Sequence, residues 1–565
     1  MASMTTLMPK GDASPKQQPK DLSHHFSAMA KLRVQSSVAP FLKALTPSVT
    51  NLGAGFPLAA TFPAESLEGA IAKMNRFPLH PMSPNSFPSP DITHFAIPKY
   101  SSSMRAIIAT DDRVDLATSL QYQDSTGLPS LADFINDFSL NYQNQGKIPY
   151  SKPETLITGG AVDAFSKCLS TFANPGDSIV MEEVTYFTAR DAVLPFGLGI
   201  VPMTLDDEGI DAIALNRVLD TWSEKKRGRK PHMMYTVSLG QNPKGTITPL
   251  KRKKKIYEVC QKHDILIFED EPFWPFQYNI PESSTETFIA TLAPSYLQID
   301  TDGRVLGINT FTKLIAPGCR VGWIVAQPAF IEKLGFLTDN STFNPSGFVE
   351  AVLAQLFRQW SVHGFIRWIE GLRADYLQKR DVLCEALAEG RDLVVHTHHH
   401  HHHHYQTAIV EASDKAHNKI SKRKRHSDED SEHHHNQKTK IRMYEFEAPA
   451  AGFLIWVQIN TASHPLSHAS RGKSRLTPSE IIQLLWKHLH GPPYNLLTIT
   501  GDIFAATPEV QEEIDAAGVG HLRLSFIGVE TSELKKVGQV FGDALKAFWE
   551  GEGWDEEVLD GVEYI

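Results

Sequence analysis

The run from Asn309 to Trp323 reads Asn-Thr-Phe-Thr-Lys-Leu-Ile-Ala-Pro-Gly-Cys-Arg-Val-Gly-Trp. It sets Lys313 among the hydroxyls of Thr310 and Thr312, seven residues before Arg320. An amine that forms a Schiff base must shed its proton, and a largely apolar setting beside a second cation lowers its pKa from about 10.4. Lys313 and Arg320 supply those two ingredients. The two threonine hydroxyls and the Arg320 guanidinium also suit a phosphate, which arginine grips bidentately as lysine cannot. A phosphate that carries an aldehyde is pyridoxal phosphate. A buried strand leading into a Pro-Gly turn, with a solvated lysine, explains the same letters, so corroboration has to come from elsewhere in the chain.

Pyridoxal phosphate withdraws electrons only while its ring nitrogen stays protonated, which calls for a buried carboxylate. Asp270 follows the apolar run Ile265-Leu-Ile-Phe and so stands where parallel strands end in a ligand crevice, with Glu269 and Glu271 as competitors beside it. The ring oxygen needs a donor, and the turn Gln241-Asn-Pro-Lys-Gly245 offers the Asn242 amide, although an ordinary Asn-Pro turn reads the same way. Gly159-Gly160-Ala161-Val162 opens a helical pattern whose free amides and macrodipole would meet a phosphate. Between Asn51 and Pro63 the density of Gly and Pro, Gly55 included, lets backbone lie close to a ligand or simply turn.

These residues need a scaffold that delivers strand ends to one edge. From Lys152 onward strands and helices alternate, as an α/β fold with a largely parallel sheet requires. The helix from Gly160 to Ala173 is stopped by Asn174-Pro-Gly-Asp, and strands are expected at 178–181, 233–238, 265–268, 305–308 and 321–325. The segment Met74 to Pro98 reads as a surface loop, and long amphipathic helices follow Trp360. A Gly turn and strand at Gly452 to Ile459, and a strand carrying Arg523, belong to a smaller α+β unit.

At 565 residues the chain exceeds one hydrophobic core. Fifty-five basic against 65 acidic residues, for a net charge of −10, give no footprint for nucleic acid. Four cysteines without CxxC spacing suggest neither a disulfide framework nor a metal centre, and no ligand set for a metal is expected. No run reaches the roughly 18 apolar residues of a membrane helix and no signal peptide opens the chain, which predicts a soluble cytoplasmic protein. The expected organisation is an opening to residue 47 that is mostly disordered, then 48–120 as arm and part of a small domain, 121–372 as the large cofactor domain and 373–565 as the small domain. A tract at about 396–442, with His398 to His404 and Lys422 to Arg425, could chelate divalent metals or serve as a nuclear-import patch, but reads first as a solvated, disordered insertion that interrupts the last of these.

Taken in order, Gln121-Tyr-Gln, Glu182-Glu-Val-Thr-Tyr186, Asn242-Pro-Lys-Gly, Glu269-Asp-Glu-Pro, Thr310-Phe-Thr-Lys and Arg523-Leu-Ser-Phe resemble the fold type I, class I/II aminotransferases. Within that family they are similar to the kynurenine/2-aminoadipate and fungal aromatic amino acid enzymes. The resemblance spans roughly Ser48 to Ala547 and implies a PLP-dependent α/β transferase, with a mainly parallel central sheet flanked by helices plus a smaller α+β domain. It implies that Lys313 takes the cofactor aldehyde, Asp270 pairs with the ring nitrogen, Asn242 bonds the ring oxygen and Tyr186 stacks on the ring. Gly160, Ala161, Val162, Thr310, Thr312 and Arg320 would hold the phosphate, with Tyr122 reaching it from the partner of a homodimer. Arg523 would bind the substrate carboxylate, with Asn242 and Gly55 beside it.

Two positions depart from the family pattern. Phe273 stands where a ring-oxygen-binding tyrosine is usual, and Ala161-Val162 lack the usual side-chain donors to phosphate. The implied reaction moves an amino group from an aromatic or 2-aminoadipate-like amino acid to a 2-oxo acid such as 2-oxoglutarate by a ping-pong route. Two alternatives remain at this point: another PLP chemistry on the same fold, such as a lyase or decarboxylase reaction, or an aminotransferase-like regulator without turnover.

Overall fold

The computed structural model describes residues 16–37, 49–53, 55–79, 89–100, 114–123, 125–278, 287–396, 438–468 and 475–551. The runs His398 to His404 and Lys422 to Arg425 lie outside them. A hairpin of β1 (Ser66–Ala72) and β2 (Ile92–Pro98) precedes the main body, so the stretch expected to be a loop ends in a paired strand.

The central sheet is built from β3 (Glu154–Thr158), β4 (Ser178–Glu182) and β5 (Gly199–Met203), after which β6 (Leu205–Asp206) and β7 (Gly209–Ile210) form a separate short hairpin. It continues with β8 (Met233–Thr236), β9 (Leu266–Asp270), β10 (Val305–Thr310) and β11 (Gly322–Ala326), in the order β3-β11-β10-β9-β8-β4-β5. Only β11 runs against its neighbours. Every residue of β4, β8, β9, β10 and β11 is buried, as continuous apolar runs demand of strands covered on both faces. β8, β9 and β10 are mutually parallel, so their C-terminal ends share one edge, and that edge carries the chemistry.

A helix from Gly347 to Gly390 begins well before Trp360 and is broken once, at Ser361 (φ 59°, ψ 174°). Beyond it lie the hairpin β12 (Asp392–His396) and β13 (Lys438–Arg442), then β14 (Tyr444–Phe446), β15 (Leu454–Ile459), β16 (Ile499–Thr500) and β17 (Gly520–Ser525). The last four form an antiparallel sheet in the order β14-β15-β17-β16.

The expectation of disorder in the opening fails for part of it. From residue 16 the chain is packed: Gln17 bridges to Tyr150, and the helix Ala28–Leu32 is capped by Ser27. Leu22, Phe26 and Ala30 are buried, with the Phe26 ring 5.7 Å from Phe172 and 5.8 Å from Phe330. Apolar residues widely spaced in polar sequence carry this segment, which a composition average hides.

Among the described residues no helix is long and apolar enough to cross a membrane.

Candidate active site

Asp270 is the last residue of β9 and is buried. Its Oδ2 accepts a 2.8 Å hydrogen bond from the Tyr235 hydroxyl of β8, while its Oδ1 has no partner among the described residues. Burial raises its pKa to about 6, against the lowering effect of Tyr235. Strand alternation sends the two competing glutamates to the opposite face. There Glu269 accepts from Ser238, from Lys253 at 3.1 Å and from the Tyr296 amide at 2.6 Å. Glu271 is pushed well above the carboxylate range, first by burial and then by Glu269.

Lys313 lies in the turn after β10, half-buried. The turn is held by Trp368 of the long helix, whose Nε1 donates to Leu314 O at 2.9 Å. Lys313 Nζ lies 5.4 Å from the Phe453 ring centroid. Its pKa is lowered, first by burial and then by the charge of Arg523. The sequence reading assigned that second role to Arg320, and the structure corrects it. Arg320 sits in a left-handed turn (φ 50°), and its Nη2 donates to Gly159 O at 2.8 Å.

Arg320 thereby closes a small cradle. Thr310 and Thr312 place their hydroxyls 2.8 Å apart. Gly160, at φ 105°, leads into the helix Ala161–Phe172, and a Cβ there would lie 2.6 Å from Arg320 Nη2. The Gly159–Gly160 turn and the Arg320 guanidinium are therefore in contact, and the paired threonine hydroxyls stand at the end of β10. Val162 is exposed and adds no donor.

Arg523 comes from β17, in the small sheet. Its Nη1 donates to Asn242 Oδ1 at 3.1 Å, its guanidinium carbon lies 4.9 Å from the Phe504 ring centroid, and its Nε is buried without a partner among the described residues. Asn242 is positioned by its own turn, since Gln241 donates to Glu182 Oε2 at 2.9 Å and to Val184 O at 2.7 Å. Tyr186 precedes the helix Phe187–Val193, and Arg190 of that helix donates to Ile503 O and Ala505 O at 3.0 and 3.1 Å. Those bonds tie the Tyr186 side of the cleft to the segment bearing Phe504. Phe273 is buried with its ring 4.9 Å from Phe453, edge to face, so it braces the ring beneath Lys313.

Two expected residues stand apart. Tyr122 is 61% exposed, and its ring meets Phe56 at 5.6 Å and Phe343 at 6.2 Å. Gly55, beside Phe56, has nothing within 4 Å of where a Cβ would be. Tyr235 and Phe453 were not anticipated. Tyr235 left a signal, because a phenolic hydroxyl in the buried run of β8, like that of Thr236 beside it, must find a partner.

Residues 96–424 match the family model for aminotransferase class I and II. The chain belongs to that family. Among the relatives of this aminotransferase, an aromatic amino acid aminotransferase of Schizosaccharomyces pombe is 32% identical over 66% of this chain and 78% of its own length. An L-tyrosine:2-oxoglutarate aminotransferase of Tapinella panuoides is 31% identical over 64% of this chain and 68% of its own. The crystal structure of the aminotransferase Aro8 of Candida albicans superposes with a TM-score of 0.73 at 27% identity, covering 95% of this chain and all (100%) of that one. The fold type I reading is therefore correct.

Proposed function

We propose that this aminotransferase uses pyridoxal 5′-phosphate to transfer an amino group from an aromatic amino acid to a 2-oxo acid, with 2-oxoglutarate as an acceptor. The observation that carries the reading is the orphaned Oδ1 of buried Asp270, on the same sheet edge as an amine of lowered pKa. A protonated ring nitrogen is the donor that this oxygen lacks, and the Gly160 cradle with Arg320 and the two threonines is open to a phosphate, so the residues fit the cofactor. The relatives named for aromatic amino acids and for L-tyrosine with 2-oxoglutarate support the substrate class.

When bound, the cofactor supplies an aldehyde for the amino group and a protonated ring that draws electrons from the substrate Cα. Asp270 would keep that ring proton in place. Lys313 would anchor the cofactor and, once displaced by the substrate amine, take the proton from Cα on Nζ; its lowered pKa enlarges the fraction of free base. Arg523 would bind the α-carboxylate through the donors it still has to satisfy, fixing the direction of the Cα–H bond. Asn242, with its Oδ1 occupied by Arg523, would offer its amide nitrogen to the ring oxygen, and Tyr186 would stack on the ring. The 2-oxo acid enters the same cleft and the proton transfers run in reverse. The rival chemistries are separated by product: incubation with L-tyrosine or L-phenylalanine and 2-oxoglutarate should yield glutamate and the aromatic 2-oxo acid. Amino-acid consumption without glutamate would overturn the assignment.

The working form is proposed to be a cytoplasmic homodimer with shared active sites, its large domain at 121–372 and its small domain at 373–565. In support, Leu52, Leu58, Tyr122, Phe343 and Phe348 leave apolar surface exposed on the single chain, and Tyr122 is the residue expected to reach the partner's phosphate. Sedimentation of the full chain tests the dimer.

A further inference from the structure

Asp270 ends β9, and Asp264 stands just before the opposite end of the same strand, in the left-handed conformation (φ 55°) that closes the helix Leu250–His263. Against Asp264 packs the short turn Ser23–His25 of the N-terminal segment. His24 Nε2 lies 2.6 Å from Asp264 Oδ2, and His25 Nε2 lies 3.1 Å from Asp264 Oδ1. Ligating atoms of the three residues all fall within 4.8 Å of one another.

The three contacts are not alike. His24 and Asp264 make an aligned hydrogen bond, whereas His25, a residue only 2% exposed, has no aligned hydrogen-bond partner for its Nε2 among the described residues. That nitrogen is near the carboxylate oxygen but out of line with it. On its other side the His25 ring meets a second histidine. His232 Nε2 lies 3.0 Å from Asp177 Oδ2. His25 Nδ1 lies 3.1 Å from His232 Nδ1, and in the tautomer in which His25 donates there, its Nε2 presents a bare lone pair. A buried lone pair beside a carboxylate oxygen is unfavourable until a cation joins them. The carboxylate–histidine–histidine order from Asp177 inward is also the arrangement by which an outer carboxylate fixes the tautomer of a metal ligand.

We propose that His24 Nε2, His25 Nε2 and the Asp264 carboxylate bind a divalent transition-metal ion, zinc being the best chemical match, and that this ion staples the N-terminal segment to the large sheet. Imidazole and carboxylate ligands at zinc bond lengths stand about 3.3 Å apart along a tetrahedral edge, with their lone pairs meeting at a third point and not along the line between them. The 3.1 Å, misaligned pair of His25 and Asp264 has that form. On binding, the His24 contact must lengthen and the ring must present Nε2 without its hydrogen, as the Nδ1–H tautomer does. His24 and Asp264, with side chains 55% and 49% exposed, leave an entry path and room for a water ligand. Arg304 Nη1, 3.6 Å from Asp264 Oδ1, opposes the ion, although its Nη2 is held by Asp302 at 2.9 Å. A micromolar site is therefore expected. Sequence spacing could not disclose it, since 240 residues separate His24 from Asp264.

The test uses the full chain stripped of metal, with His398 to His404 and His433 to His435 changed to asparagine so that no histidine tract competes. Calorimetric titration with zinc chloride should show one ion per chain, and hydrogen exchange in residues 20–30 should slow when zinc is added. His24→Asn, at an exposed position, and Asp264→Asn, which keeps a side chain tolerant of the left-handed turn, should each weaken binding by at least roughly 10-fold and abolish the exchange effect. Absence of binding at 100 micromolar zinc, or unchanged affinity in both variants, would overturn the proposal and leave only a hydrogen-bonded clasp.

Discussion

Arg523 Nη1 donates to Asn242 Oδ1 across 3.1 Å, joining the small antiparallel sheet to the turn that follows β8 of the large one. The same guanidinium depresses the Lys313 amine. One arginine thus links the proposed carboxylate-binding group to the proposed base.

Arg523→Gln should raise KM for the amino acid and lower kcat/KM by roughly 10- to 100-fold, the loss of charge-assisted bonds to a carboxylate. Arg523→Lys should restore little of it, because an ammonium lacks the planar fork. In the cofactor-free protein the Gln variant should also move the pH at which Lys313 becomes reactive toward an amine acylating reagent upward, since the removed charge had favoured the neutral form. Competitive labelling read by mass spectrometry measures that shift, and an unchanged or lower pH would contradict the coupling.

Asp270 should reveal itself in stability as well as in rate. Its pKa is raised from 3.8 to about 6 in the folded protein, so its contribution is fully present below about pH 4 and is lost as pH rises to about 6. Cofactor-free Asp270→Asn should therefore be more stable than the parent at pH 8, by about 1 to 3 kcal/mol, with the difference vanishing below pH 4. Its kcat should nevertheless fall by about 100-fold or more, the scale of losing a preorganised charge partner. Thermal melts across pH and steady-state rates check both halves.

Gly160→Ala should damage phosphate binding selectively. The new Cβ would meet Arg320 Nη2 at 2.6 Å in a backbone conformation (φ 105°) that side chains avoid, a strain of about 1 to 3 kcal/mol. Fluorescence titration should show weaker binding of pyridoxal phosphate and little change for pyridoxal, which has no phosphate to lose. Equal losses for both would assign Gly160 a general folding role.

Asp270 and Lys313 were legible in the sequence because each follows an apolar run, and in a parallel sheet the residue after such a run emerges at the ligand edge. Phe453 was not, because it meets Lys313 from far away in the chain, and the buried hydroxyl of Tyr235 signalled the need for a partner without naming Asp270. Arg320 shows the limit of local reading. Proximity in sequence suggested that it would press on Lys313, but a left-handed turn directed it to Gly159 O, and a residue from another sheet took that place. The packed segment around Phe26 was missed for the converse reason, a few apolar residues diluted by polar neighbours.

The central assignment is that Lys313 carries the cofactor. The full chain should be loaded with pyridoxal phosphate, reduced with borohydride, digested and read by mass spectrometry, with Lys313→Ala treated in parallel. The account predicts a stable adduct on the peptide containing Lys313, no adduct in the variant and loss of transamination by several orders of magnitude. An adduct on a different lysine, or a Lys313→Ala protein that still makes glutamate at the parent rate, would contradict it.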